Sequence, residues 1–99
     1  MVIKFNNDDL ENIFLGQKPS GKQEFSPQVV DSFKRTVLCL AAIENVSALL
    51  QHAGLRFKKY KDFYCVRVNK KYRLLLTVEG EEIIHAETLI IEELTNHYS

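Results

Sequence analysis

Residues 64–76 read YCVRVNKKYRLLL. Apolar and basic side chains alternate up to Asn69-Lys70-Lys71, and an apolar run follows. A period of two over this length is the signature of a strand with one buried face. Taking Asn69-Lys70-Lys71 as a three-residue turn sets Val68 opposite Tyr72, Arg67 opposite Arg73 and Val66 opposite Leu74. Val66, Val68, Tyr72 and Leu74 then share one face, turned toward the core. Arg67 and Arg73 share the other, with Cys65 and Leu75 behind them. A slip of one residue scrambles both faces. Two directly opposed guanidinium groups repel, so this register calls for an anion between them, a phosphate or a partner's carboxylate.

The surrounding charge points the same way. The chain has 99 residues and a formal net charge of zero. Residues 55–73, LRFKKYKDFYCVRVNKKYR, nevertheless hold eight of its 13 Lys and Arg. After Leu74 there are six glutamates and no Lys or Arg. A polyanion responds to this local field and not to the sum. Arg56, Lys59, Lys61, Lys70 and Lys71 are candidate phosphate contacts. Phe57, Tyr60, Phe63, Tyr64 and Tyr72 interleave with the cations, as in surfaces that stack single-stranded bases. The bland alternative is a solvated sheet face neutralised by Glu81, Glu82, Glu87, Glu92 or Glu93.

Working outward, residues 2–5 read as a short strand. Asn7 to Gly16 read as a short helix, with Asp8 and Glu11 at capping-box spacing and Gly16 as its stop. Residues 17–25 read as a loop. Ser26-Pro27 opens a helix to about Ile43, its stripe formed by Val29, Val30, Phe33, Val37, Leu40 and Ala41. A short helix, Val46 to His52, ends at Gly54. Strands follow at Phe63–Val68, Tyr72–Val78 and Glu82–Leu89, and the tail from Ile90 is either a frayed helix or extended. The expectation is one α+β domain over 1–99, an N-terminal strand and helices packed on a C-terminal antiparallel sheet.

The hairpin, the segment DLENIFLG at 9–16 and the order and spacing of the elements resemble the RelE/ParE toxin superfamily, and within it the HigB-like branch of type II toxin–antitoxin systems. The resemblance covers nearly the whole chain. It implies a RelE-like compact domain acting as a ribosome-dependent mRNA endonuclease. The family's chemistry is metal-independent attack by the ribose 2′-OH on the neighbouring phosphodiester. It implies as partners a HigA-like helix-turn-helix antitoxin, the ribosome and mRNA. By the same resemblance Arg67 and Arg73 match the paired basic catalytic positions, Lys58 the basic position ahead of the first hairpin strand, and Tyr98 the tyrosine near the C-terminus. Guanidinium groups suit the charge on a phosphorane because they bind its oxygens bidentately and keep their proton.

His97 joins this set as a general base, since an imidazole titrates near neutrality. His52 and His85 read as structural, His85 half-buried in a strand. The chain departs from the family at TLIIE, 88–92, where an Asp-Tyr-His-like ending is usual, and Glu92 stands where the RelE branch has an arginine. A ParE-like gyrase-binding toxin and a binding module that has lost catalysis therefore remain open. Cys39 and Cys65 form no C-x-x-C pair and no Cys/His cluster has zinc spacing, so no metal or cofactor is expected. No leader opens the chain and no apolar run approaches the ~20 residues that span a bilayer, so a cytoplasmic protein without membrane contact is expected.

Overall fold

The computed structural model describes residues 1–17 and 25–97. Strand β1 is Val2–Phe5, helix α1 Asp8–Phe14, α2 Pro27–Ala42 and α3 Val46–Leu50. Strands β2, Lys58–Tyr60, β3, Phe63–Arg67, β4, Arg73–Glu79, and β5, Thr88–Thr95, follow. Single 3₁₀ turns lie at Ala53–Leu55 and Ile83–His85.

The helices begin where side chains satisfy their first N–H groups. Ser26 Oγ accepts from Val29 N at 3.3 Å, and Pro27 occupies the first turn, where no N–H is required. Asn45 Oδ1 does the same for Ala48 N at 2.9 Å. For α1 the cap is Asn7 rather than Asp8: its Oδ1 accepts from Leu10 N, while its Nδ2 donates to Glu92 O. An amide can cap a helix and tie down a strand at once, and a carboxylate has no proton for the second task. Gly16 follows α1 at φ 77°, a conformation glycine adopts without strain.

Leu10 and Ile13 of α1, Phe33, Val37 and Leu40 of α2, and Val46 and Leu49 of α3 meet Val66, Leu74, Leu76, Leu89, Ile91 and Leu94 of the sheet in one core. Ala41, read as part of the α2 stripe, is exposed. Thr36 is buried instead, its hydroxyl donating to Ser32 O at 2.8 Å so that no polar atom is orphaned.

The fold is α+β, with a five-stranded sheet in the order β1-β5-β4-β3-β2. It is mixed, not antiparallel throughout. β1 pairs parallel with β5, Val2 beside Thr88 and Phe5 beside Ile91, so the N-terminal strand belongs to the sheet instead of packing on it. The remaining pairs are antiparallel.

The largest departure from the sequence reading lies after Gly80. The strand expected at Glu82–Leu89 is a 3₁₀ turn, and the strand runs from Thr88 through the stretch read as a tail. The cause is tertiary. Ala86 O accepts from Val46 N at 3.0 Å, and Glu87 O accepts from Val2 N at 2.7 Å. The first bond turns the segment toward α3, and the second opens the parallel ladder. Within β5, Leu75 faces Glu93 while Leu76 faces Ile91, so Glu92 is the extra residue of a β-bulge. The bulge resets the alternation and keeps Leu89, Ile91 and Leu94 all buried.

Candidate functional site on the open sheet face

The turn of the β3–β4 hairpin is built on one side chain. Asn69 Oδ1 accepts from the backbone N–H of Lys71 at 2.9 Å and of Tyr72 at 2.7 Å. Val68 N donates to Tyr72 O at 3.1 Å. These bonds fix the register, and Arg67 stands directly opposite Arg73. Both arginines are half-buried. One terminal nitrogen of Arg73 donates to Asn69 O at 2.9 Å and to Tyr72 O at 3.1 Å. The guanidinium therefore braces the turn that positions it.

Directly paired residues of antiparallel strands point to the same face. Two rows of side chains thus cross the face away from the helices. One is Lys58, Cys65, Leu75 and Glu93; the next is Arg67, Arg73 and Thr95. Cys65 and Leu75 are buried yet stand outside the helix-side core, as a small apolar floor between the charged groups. Burial pushes the Cys65 thiol up from its ordinary value, and the positive charges of Lys58 and then Arg73 pull it partly back. Both cations lie close enough to Cys65 to be felt there.

Beside the rows is a pocket of about 280 Å³ lined by Tyr60, Lys61, Phe63, Leu75, Glu93, Thr95 and His97. His97 is exposed, and its backbone N–H donates to Thr95 Oγ1 at 3.0 Å. The ammonium of Lys61 lies 5.3 Å from the Tyr60 ring centre. Lys58, Arg67, Arg73 and His97 are thus assembled on one face. Tyr98 lies outside the described residues.

The candidate phosphate contacts do not all converge. Lys59 pairs with Tyr64 on the helix side of the sheet and places its ammonium 4.7 Å over that ring. Lys70 and Lys71 are exposed at the hairpin tip, and Arg56 and Lys61 are exposed at the two ends of β2. Both of the latter hold positive φ, 51° and 52°. The aromatics also divide. Tyr72 packs edge-on against Phe25 at 5.9 Å, and Phe57 stacks on Tyr64 at 5.1 Å. Phe57 and Tyr72 belong to the core margin. Only Tyr60 and Phe63 of the five line the open-face pocket.

Glu92 is not beside the arginines. Its carboxylate accepts from Asn6 Nδ2 and from Thr77 Oγ1, each at 2.8 Å, toward the β1 edge. Among the described residues the acid that shares the open face with the cations is Glu93, which the sequence reading named only as one of five glutamates able to neutralise it. Its signal was the buried spacing Leu89, Ile91, Leu94, which requires a bulge and turns residue 93 outward. His85 is exposed in the 3₁₀ turn, 3.5 Å from Glu82, and not half-buried in a strand. His52 is exposed, its Nε2 3.8 Å from Cys39 Sγ.

Among the described residues no group of three or more His, Cys, Asp or Glu is placed to hold a metal ion, and no helix is long and apolar enough to cross a membrane. No protein-family model, curated protein or solved structure matches this chain.

Proposed function

We propose that the chain is the toxin of a type II toxin–antitoxin pair, a RelE-like domain of the HigB-like kind that cuts mRNA on the ribosome. The observation that supports this best is the gathering of Arg67, Arg73 and Lys58 on one open sheet face, beside a pocket that holds His97. Three cationic side chains around a small apolar floor suit a phosphodiester whose charge rises as it reacts.

In this reading Arg67 and Arg73 grip the non-bridging oxygens and stabilise the phosphorane. His97 accepts the proton of the ribose 2′-OH as that oxygen bonds to phosphorus. The bond from phosphorus to the 5′ oxygen breaks, and Lys58 supplies a proton to the leaving oxygen. The products are a 2′,3′-cyclic phosphate and a 5′-hydroxyl. Lys61, Lys70, Lys71 and Arg56 hold flanking phosphates. Such a protein works in the cytoplasm. Its helix-turn-helix antitoxin presents acidic groups to the open face, because opposed arginines are costly to cover without an anion.

Glu93 favours a second reading. A carboxylate lining the same pocket as His97 repels a phosphate there, which suits a gyrase-binding toxin or a binding module that cuts nothing.

The test is cleavage of a defined mRNA on programmed ribosomes, mapped by primer extension. Wild type is expected to cut in the A site. Arg73→Ala is expected to lower the rate by about 10²–10³, the usual cost of a lost transition-state charge contact. Its melting temperature should stay near wild type, because relief of the Arg67 repulsion offsets the lost bonds to Asn69 and Tyr72. Intact mRNA with the wild-type protein overturns the nuclease reading and leaves the binder.

A further inference from the structure

A second basic cleft lies around the end of β3 from the open face. It has a volume of about 440 Å³ and is lined by Ser32, Arg35, Thr36 and Cys39 of α2, by His52, Gly54 and Leu55, and by Arg67 and Val68. Among these lining residues none is acidic. Arg35, Arg67 and His52 supply the positive or protonatable groups, and Ser32 adds a hydroxyl. Cys39 and His52 form its wall, with their Sγ and Nε2 3.8 Å apart. Arg67 is common to this cleft and to the row that it forms with Arg73 on the sheet face.

We infer that the cleft is a phosphate subsite for the same nucleic-acid strand. It takes a backbone phosphate neighbouring the one held by Arg73, with Arg67 bridging the two. This rests on the nucleic-acid reading above and adds to it a path for one side of the strand: from Arg73 around the end of β3, toward α2. A strand of regularly spaced phosphates is the ligand that would occupy two cationic sites joined by one guanidinium. Cys39 has no part in the chemistry and serves as a reporter, because it lines the cleft while the protein's other thiol, Cys65, is buried.

The test is anisotropy of a fluorescein-labelled single-stranded oligoribonucleotide titrated with the protein over a range of salt. Each lost phosphate contact is expected to reduce the slope of log K against log salt by about 0.7. Arg35→Gln should produce that change, and so should Arg73→Ala. A wild-type slope in Arg35→Gln with a reduced slope in Arg73→Ala removes the cleft and keeps the open-face site. A reduced slope in Arg35→Gln alone keeps the cleft and removes the open-face site. Wild-type slopes in both remove both. As a check independent of substitution, the same oligonucleotide should slow alkylation of wild-type Cys39 by iodoacetamide, read by peptide mass spectrometry. Alkylation at an unchanged rate under saturating oligonucleotide overturns the cleft.

Discussion

The β3–β4 hairpin and strand β5 are made of similar material, yet their registers have different origins. In the hairpin, Asn69 Oδ1 binds two N–H groups within three residues, and the alternation on either side follows from that turn. In β5 no nearby turn sets the pairing. Its start depends on Val2 and Val46, far away in sequence, and its phase depends on the bulge at Glu92. One register is local and the other is the sum of distant contacts. The candidate site straddles both: Lys58, Arg67 and Arg73 come from the local side, while Glu93, Thr95 and His97 come from the other.

Substitutions at the two sides should separate them. The largest stability loss is expected at Ile91, fully buried between β1 and β4. Ile91→Ala should cost about 2–5 kcal/mol in urea unfolding, because a cavity opens where three strands meet. A loss no greater than a surface change would show that β5 is not anchored there. Asn69→Ala should cost about 1 kcal/mol, in line with loss of a capping side chain. It should also loosen the Arg67–Arg73 pairing, seen as faster amide exchange at Val68 and Tyr72. Unchanged exchange would mean that the strands, and not the turn, hold the register.

The smallest effect is a pH dependence at Cys65. Its folded thiol titrates above the ordinary value of 9.0. The unfolded chain therefore gives up its thiol proton first as pH rises, and stability present below pH 9.0 declines as pH climbs toward the folded value. Cys65→Ala should flatten this alkaline limb while leaving the profile near neutrality unaltered. An alkaline limb as steep in the variant as in wild type would place its origin outside Cys65.

The same division explains what could be read from the sequence. The hairpin register, the Ser26-Pro27 helix start and the β1 strand were legible because each signal and its consequence lie within a few residues. The opposition of Arg67 and Arg73 therefore follows from residues 64–76 alone. Strand β2 was hidden because Lys58-Lys59-Tyr60 has little apolar character and forms at an edge by pairing with β3. The turn at Ile83–His85 was hidden because Ile83 and Ile84 look like strand residues, yet they are 45% and 48% exposed. A backbone bond to Val46 decides the matter, and no local pattern encodes it. The place of Glu93 required the bulge, which is visible only as a break in period from two to three between Leu89, Ile91 and Leu94.

The parallel pairing of β1 with β5 also sets an order in time. Hairpins of neighbouring strands close within about 1–10 µs, so β2, β3 and β4 can assemble as soon as they exist. Of the five strands β1 is made first, yet its partner in the sheet, Thr88–Ile91, belongs to the strand made last. During synthesis its apolar edge must wait, and closing so long a loop slows the final step. The strand made earliest of the five is the one that joins the sheet last.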